Sequence, residues 1–477
     1  MAEKQLKERI SPLFYFFVSY VALIFILGGA NENATLANVI LETVGVLFFI
    51  TSLYKLSIAK QQLKSAKIAV WTVFIVILVP VLQLIPLPSG MWTELPFHDR
   101  AAAALETLGV MYFGGRLSLA PQLTWASALS MLPSCAIFLT TLSLNKRERD
   151  SLVIFLMAFG LANAFLGLLQ FSQNSELGAY LYPDMGAGEV TGFFKNRNHF
   201  AALMYALIPM ATAVAATNLM TKTTRNEGLA SEKRLLLFIS ALASLFIFIV
   251  SCVMARSRAG VILLMVALLL ISFLPAWSRT GTGATAAGDS ILKKALGAFT
   301  AFSVLFAMEY GFYRLLERFE ADPQQDARLK IAETTFYAAW AAFPYGTGLG
   351  TFQKIYAVIE PIRDVMPHFY VNRAHNDYLE FVLESGLIGV VAIIVFAWWY
   401  GKCAREAWRM ASFDSESDYV ARAAIMTIGL LLLHSFVDYP LRTQAIMGLF
   451  AICCAQLLSR FSETKSAINS NNTRNNT

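Results

Sequence analysis

Apolar residues occur along the chain in twelve long blocks that alternate with short polar segments. Each block approaches the length of about 20 residues that a helix needs to cross the hydrocarbon core of a bilayer. Backbone groups in lipid must pair within their own segment, so the blocks are expected to be helices. The predicted spans are 13–30, 36–54, 68–87, 122–143, 151–172, 198–216, 235–253, 259–277, 291–308, 380–401, 422–436 and 443–459. The pattern predicts an all-α polytopic membrane protein with about 12 transmembrane helices.

Positive charges divide unevenly between the two sets of connecting segments. Of the 38 lysines and arginines, 24 fall in the set that includes both termini and 14 fall in the other set. Half of those 14 lie in one long loop, to which the positive-inside rule does not apply. Because short cytoplasmic loops are enriched in lysine and arginine, both termini are predicted to be cytoplasmic.

The composition favours chemistry at the outer surface. The chain is 57% hydrophobic and only 15% charged, and Glu42 is the clear ionisable residue near a span centre. Ion-coupled transporters usually keep several ionisable residues at mid-membrane. Of the 14 outer positive residues, 11 are arginines, whose forked guanidinium groups suit contacts with phosphate or carboxylate.

The chain is predicted to form one transmembrane domain, 1–461, followed by a polar tail, 462–477, that is expected to be disordered and cytoplasmic. The largest outer loop, about 309–379, lies between the ninth and tenth spans and is long enough for a few short helices. The five cysteines fall in spans or on the inner side, so no disulfide framework is expected.

The first polar motif is GFFKNRNHF at 192–200, where the sixth span begins. Free N–H groups at a helix N-terminus attract anions, so we interpret the motif as a binding element. The alternative is an interfacial anchor with a helix cap. Its polar side chains are Lys195, Asn196, Arg197, Asn198 and His199.

Two further outer segments could hold an anion. The hairpin RSRAG at 256–260 places Arg256 and Arg258 in one short turn, which fits a phosphate clamp; snorkelling anchors are the alternative. In the long loop, Arg328 begins a helical pattern that ends before the glycine run YGTGLG at 345–350. Alternating glycines can turn N–H groups toward an anion, but a plain tight turn explains the run as well.

The densest motif, RAHNDYLEFVLESGLIG at 373–389, opens the tenth span. Asn376, Glu380 and Glu384 are spaced four residues apart and form one polar stripe, which must face protein or a water-filled cleft. An unpaired carboxylate in the membrane is costly, so Glu384 is expected to pair with an arginine or a backbone group. His375 precedes the helix and suits general-base work. A weaker element, DYPLR at 438–442, is interpreted as an Asp–Arg pair closing a turn.

The 373–389 motif resembles the signature of the bacterial O-antigen ligase and polymerase superfamily. The 194–200 run, the 257–260 hairpin and the 344–352 turn resemble accompanying elements in the same order. The resemblance implies a glycosyltransferase-C-like enzyme of the bacterial inner membrane, with its core at about 190–400 and its active site on the periplasmic face. Such enzymes transfer a glycan from undecaprenyl diphosphate to an acceptor hydroxyl in O-antigen or exopolysaccharide biosynthesis. The acceptor is another glycan for a polymerase and lipid-A core for a ligase.

The resemblance also implies roles for single residues. His375 corresponds to the catalytic base, and Arg258 and Arg328 correspond to arginines that hold the diphosphate. Arg256, Arg197 and Lys195 are expected to add to the diphosphate site. The expected supporting residues are Asn196, Asn198, His199, Arg373, Asn376, Asp377, Tyr378, Glu380 and Glu384.

The sequence predicts neither a metal site nor a cofactor, and the resemblance implies metal-independent, inverting transfer. The expected partners are the lipid-linked donor, the acceptor, membrane lipids and other polysaccharide-export proteins, with no role for nucleic acid. Two alternatives stay open: a flippase or transporter for lipid-linked oligosaccharide, and a non-catalytic member of an envelope complex. The sequence does not separate a ligase from a polymerase.

Overall fold

The protein was analysed as a computed structural model, and its described part is almost entirely helical. The structure describes residues 9–30, 36–58, 63–110, 114–172, 180–182, 189–220, 228–272, 323–365, 370–409 and 416–475, with six isolated positions between 294 and 305. The first helices are α1 (Pro12–Leu27), α2 (Leu36–Ile58) and α3 (Leu63–Gln83). A small antiparallel hairpin follows, formed by β1 (Pro86–Pro88) and β2 (Gly114–Arg116), and it encloses α4 (Ser89–Trp92) and α5 (His98–Thr107).

The rest of the described chain forms eleven further helices. Its helices are α6 (Pro121–Ser130), α7 (Leu132–Ser143), α8 (Lys146–Ser172), α9 (Arg197–Met220), α10 (Gly228–Met254), α11 (Arg258–Ser272), α12 (Pro323–Ala342), α13 (Phe352–Ile359), α14 (Asp377–Arg409), α15 (Glu416–His434) and α16 (Gln444–Asn475). Short 3-10 turns lie at Ile362–Asp364 and Pro440–Arg442.

Eleven of the twelve predicted spans coincide with apolar helices in the described part of the chain. Six of these helices are long and apolar enough to cross a membrane, and five are shorter. The remaining predicted span, 291–308, lies outside the described residues apart from isolated positions. The structure is therefore that of an all-α membrane protein, as the apolar pattern predicts.

Helix α9 forms the centre of the bundle. Within it, Phe200 to Ala213 is buried at every position. Alanines supply many of these positions, for example Ala201, Ala202 and Ala206. Small side chains let helices approach closely where lipid provides no hydrophobic driving force between them. As a result, α9 holds its first turn firmly against α10, α11 and α15.

Contacts between segments that are distant in the sequence show which segments lie at the same end of the bundle. At one end, the Ser11 hydroxyl donates to Glu148 over 2.6 Å, and Gln456 donates to the carbonyl of Arg149 over 3.2 Å. At the opposite end, the Lys195 N–H donates to the Gly29 carbonyl over 3.2 Å. Segments that the charge pattern assigns to the same side thus meet at the same end.

Two details differ from the sequence prediction. The predicted span 122–143 consists of two helices, α6 and α7, separated at Met131 just before Pro133. Helix α16 continues to Asn475, across most of the tail predicted to be disordered from 462 onwards. Extending a helix that packing has already nucleated costs little per residue, whereas the prediction considered the tail composition alone.

A second, smaller core lies beside the N-terminal end of α14. It includes Ile331 of α12, Phe352 and Tyr356 of α13, and Leu383 of α14. The described part of the long outer loop therefore packs as helices against the start of the tenth predicted span. This packing fixes where α12 presents Arg328 and where the chain enters the 373–389 motif.

Candidate active site

Several predicted motifs meet where α15 turns into α16, in the turn formed by residues 435–442. Asn198 in the first turn of α9 donates its side-chain amide to Asp438 Oδ2 over 2.6 Å. His375, just before α14, reaches the other oxygen of the same carboxylate. Arg328 in the first turns of α12 lies 3.9 Å from Asp438 Oδ2. Three segments that are far apart in the sequence therefore converge on one buried aspartate.

His375 is held in an unusual backbone conformation. Its φ is +50°, in the left-handed region that side chains with a Cβ rarely adopt. Such residues persist only where their surroundings stabilise them, and they cluster at functional sites. The preceding Ala374 N–H donates to Glu380 Oε2 over 2.9 Å, and the following Asp377 N–H donates to the Ser435 carbonyl over 2.9 Å. These bonds secure the chain on both sides of the histidine.

The partner of His375 determines which of its ring nitrogens is basic. Nδ1 lies 3.1 Å from Asp438 Oδ1, and the Asp438 side chain is fully buried. Burial raises the pKa of Asp438, but the hydrogen bond with His375 and the nearby positive groups lower it further, to well below its usual range. An ionised carboxylate can only accept, so Nδ1 carries a proton, and in the neutral imidazole Nε2 is the nitrogen with the lone pair. The side chain of His375 is 17% exposed, which leaves that ring accessible.

His199 contributes to the same site through packing. Its ring lies 5.0 Å from the ring of Tyr439 in an edge-to-face contact, and the residue is buried. Asn196 shapes the turn before α9, because its side-chain oxygen accepts the N–H of Asn198 over 2.8 Å. The 192–200 motif thus supplies Asn198 and His199 to the site, with Asn196 as the local cap.

The predicted cations occupy different positions around this centre. Arg328 is the one whose ion pair places it at Asp438. Arg197 pairs with Glu189 over 3.3 Å. Arg256 has a φ of +51° and its guanidinium lies 5.7 Å from the centroid of the Phe171 ring. Lys195 is attached through its backbone, because its N–H donates to the Gly29 carbonyl over 3.2 Å.

Arg258 begins α11, whose first turn packs closely on α9. A side chain at Gly260 would collide with Ala201, two residues beyond His199. The Ser257 hydroxyl caps this turn by accepting the Gly260 N–H over 3.0 Å. The hairpin at 256–260 therefore lies at the same end of the bundle as His375, on the far side of the α9 N-terminus.

The polar stripe of α14 faces protein. Arg442 Nη1 donates to Glu384 Oε2 over 3.0 Å, and the Phe352 N–H approaches the other Glu384 oxygen at 3.3 Å. Arg373 Nη1 donates to Glu380 Oε1 over 2.8 Å. Both glutamates are fully buried. The prediction that Glu384 pairs with an arginine or a backbone group is confirmed, and Arg373 is engaged with Glu380.

Three other residues of the 373–389 motif fix the start of α14. The Asn376 side-chain oxygen accepts the N–H groups of Tyr378 and Leu379 over 3.1 and 3.0 Å, as a helix cap does. Asp377 Oδ2 accepts the Ser435 hydroxyl over 2.8 Å. The Tyr378 hydroxyl donates to the carbonyl of Leu432 over 2.8 Å. These contacts attach the motif to the end of α15, next to Asp438.

The glycine run at 345–350 closes a break in α14. Gly386 has a φ of +57° and interrupts the helix, and the Gly348 N–H donates to the freed Glu384 carbonyl over 3.0 Å. The Gly346 N–H donates to Ala342 over 2.9 Å. Gln83 joins both segments, donating to the Glu384 carbonyl and accepting from the Leu349 N–H, each over 2.9 Å. Since the N–H groups of Gly346 and Gly348 are occupied, the run serves as a turn and not as an anion cradle.

Residues 243–394 match the model of the family described as O-Antigen ligase. The match supports assignment of this part of the chain to the O-antigen ligase and polymerase superfamily. The match lies within the core predicted at about 190–400 and contains Arg256, Arg258, Arg328 and His375. No curated protein matches the chain significantly.

Three residues at the candidate site were not identified as functional from the sequence: Asp438, Tyr439 and Arg442. They lie beyond the matched range. The sequence interpretation paired Asp438 with Arg442 across the turn. Instead, Asp438 contacts His375 and Asn198, whereas Arg442 contacts three carboxylates of α14, those of Asp377, Glu380 and Glu384. One detectable signal was an acidic residue close behind a long apolar helix, where a buried charge requires a partner.

Within the described residues, no group of three or more histidine, cysteine, aspartate or glutamate side chains is arranged to hold a metal ion. Metal independence stays a prediction. What the site offers is one imidazole, one buried carboxylate that accepts from its Nδ1, and the guanidinium group of Arg328.

Proposed function

We propose that the protein transfers a glycan from an undecaprenyl-diphosphate-linked donor to a sugar hydroxyl on the periplasmic face of the inner membrane. The match of residues 243–394 to the O-antigen ligase family supports a role in ligating or polymerising surface polysaccharide. The observation that carries the proposal is the His375–Asp438 pair, in which a buried carboxylate lies against Nδ1 and directs Nε2 of a partly exposed imidazole to act as the base.

The proposed reaction is an inverting displacement at the anomeric carbon of the donor sugar. His375 Nε2 takes the proton of the acceptor hydroxyl as its oxygen forms a bond to that carbon. The bond between the anomeric carbon and the diphosphate oxygen breaks on the opposite face, and its electron pair leaves with the diphosphate. Asp438 stabilises the resulting imidazolium, as a carboxylate does in other histidine-based catalytic groups.

The arginines are proposed to stabilise the diphosphate as it leaves. A charge-assisted hydrogen bond contributes roughly 1.5–3 kcal/mol, so two or three together can offset much of the developing charge. Arg328 is well placed, because its side chain is 36% exposed while one edge approaches Asp438. Arg258 and Arg256 are proposed to act from the α11 hairpin, with Arg197 and Lys195 at the start of α9 as outer contacts.

The experiment that tests the proposal is deletion of the gene, followed by analysis of glycans linked to undecaprenyl diphosphate. Loss of the transferase should strand lipid-linked glycans and deplete the mature surface polysaccharide. Long chains on the carrier indicate a ligase, whereas single repeat units indicate a polymerase. Unchanged surface glycans with no accumulation on the carrier would refute the proposal.

A single substitution distinguishes a catalytic role from a non-catalytic role in an envelope complex. His375→Ala should reproduce the deletion phenotype while the protein remains in the membrane at wild-type amount. General-base catalysis typically contributes 10²–10⁴-fold in rate, so complementation should fail almost completely. Full complementation by His375→Ala would instead favour a non-catalytic envelope component.

A further inference from the structure

Tyr439 lies between the two histidines of the site. Its ring centroid is 5.0 Å from that of His375, with an interplanar angle of 61°, and 5.0 Å from that of His199, at 76°. Both contacts have the edge-to-face arrangement that aromatic rings prefer. Tyr439 is buried, with 6% of its surface exposed. Its ring lies between His199 of the 192–200 motif and His375 of the 373–389 motif.

The other atoms of Tyr439 bind the same surroundings. Its N–H donates to Asp438 Oδ1 over 3.0 Å, the oxygen that also faces His375 Nδ1. Burial raises the pKa of the Tyr439 hydroxyl, while hydrogen bonding with Asn196 and Asn372 lowers it, and the pKa settles at about 12. The hydroxyl is therefore neutral at physiological pH and is not poised as a base.

One hydrogen bond does not fix the orientation of an imidazole ring. The Nδ1 contact with Asp438 sets the tautomer, but the ring can still tilt about the Nδ1–Oδ1 line. His375 is partly exposed, so packing cannot restrain that tilt from the open side. Among the described residues, Tyr439 is the aromatic ring that packs against His375, and it lies within the turn that also carries Asp438.

We infer that Tyr439 is a positioning residue, whose ring holds the plane of His375 so that Nε2 stays directed at the acceptor hydroxyl. The inference rests on the proposed function and adds a residue to its machinery. The ring performs this role through contact with His375, and the hydroxyl contributes only to anchoring Tyr439. Small misplacements of a catalytic group can cost about 10²-fold in rate, so loss of the ring should affect turnover much more than substrate binding.

The test measures kcat and KM for glycan transfer from a lipid-linked donor by the purified full-length protein. Tyr439→Leu should lower kcat by roughly 10- to 100-fold and change KM less than about twofold. Tyr439→Phe keeps the ring and should retain at least about a third of the wild-type kcat. Tyr419→Leu is the matched control and should keep the wild-type kcat, because Tyr419 is also 6% exposed and lies at the other end of α15 from the site.

Thermal unfolding identifies variants that fail to fold. If Tyr439→Leu does not fold, Tyr439→Met fills more of the space with a flexible side chain and takes its place. Equal kcat losses in Tyr439→Phe and the ring-deleted variant would overturn the inference, as would a normal kcat in the ring-deleted variant or a loss confined to KM. Absence of transfer by the wild-type protein would overturn the proposed function, and with it the inference.

Discussion

Asp438 is the residue on which the chemistry of His375 depends. Replacing it with asparagine keeps the shape but allows the side-chain amide to donate, so His375 Nδ1 can become the acceptor and Nε2 can carry the proton. We expect Asp438→Asn to lower kcat by roughly 10²–10⁴-fold, the range that general-base catalysis contributes. Transfer assays on membrane preparations with equal protein content measure this. A kcat within threefold of wild type would contradict the tautomer argument.

The same residue makes a pH-dependent contribution to stability. Because the folded-state pKa of Asp438 is depressed, its contribution is fully present above the unfolded pKa of about 3.9 and is lost as the pH falls through the folded pKa. The difference in unfolding midpoint between wild type and Asp438→Asn should stay constant from about pH 5 to 8 and shrink only below about pH 4. Thermal unfolding in detergent at several pH values checks this, and a difference that already disappears near pH 6 would contradict it.

Arg328 tests the arginine role with a conservative substitution. Lysine keeps the charge but loses the planar fork that can contact Asp438 and a diphosphate oxygen together. Arg328→Lys should reduce transfer by at least about tenfold, the cost of one charge-assisted hydrogen bond. Arg363 lies in the 3-10 turn at Ile362–Asp364, and its side chain is 85% exposed. Arg363→Lys should leave transfer unchanged. Equal activity in both variants would remove Arg328 from the site.

The sequence predicted single residues best where their neighbours in the chain made them distinctive. His375, Asn198 and Arg328 were identified from motifs and meet at Asp438. Asp438 itself was interpreted as structural, because its partners lie 63 and 240 positions away. Local pattern carries no information about such pairings. The roles of Gly346 and Gly348 depended in the same way on a carbonyl that only the break in α14 exposes.

At the scale of the helix, α14 depends on a glycine at its break. A Cβ at Gly386 would collide with the Pro344 carbonyl, and its φ of +57° is strained for any other residue. Gly386→Ala should therefore destabilise the protein by about 1–3 kcal/mol from backbone strain, before any clash is relieved. Gly401 lies in the same helix with open space around its Cα, so Gly401→Ala should be neutral or stabilising by about 0.5–1 kcal/mol. Unfolding midpoints compare the two variants, and equal midpoints would contradict the role of the break.

Helix existence was the most predictable feature of the elements, and breaks within helices were the least. The length of the apolar blocks alone located eleven spans that coincide with helices in the described part of the chain. The break at Gly386 depends on Gln83 and on the Gly348 N–H, which satisfy the freed Glu384 carbonyl. A hydropathy pattern does not contain that information, because an interrupted apolar segment has the same composition as a continuous one.

At the scale of the whole molecule, orientation in the bilayer is the central expectation. The five cysteines are buried, so single introduced cysteines can report on each side. Ile362→Cys, at a position 93% exposed, should react with a membrane-impermeant maleimide in cells with a permeabilised outer membrane. Lys146→Cys, with a side chain 49% exposed, should react only after the inner membrane is opened. The reverse pattern would place the His375 site in the cytoplasm.

The break in α14 also constrains how the protein is assembled. The carbonyl of Glu384 is satisfied by Gln83, 301 positions earlier in the chain, and by the loop at 344–350. A helix that enters the membrane with unsatisfied carbonyls carries a cost that no lipid can relieve. The final seating of α14 therefore requires both α3 and the loop at 344–350 to be in place. We therefore expect the site to form late in biogenesis, because α3, which is synthesised early, completes α14, which is synthesised much later.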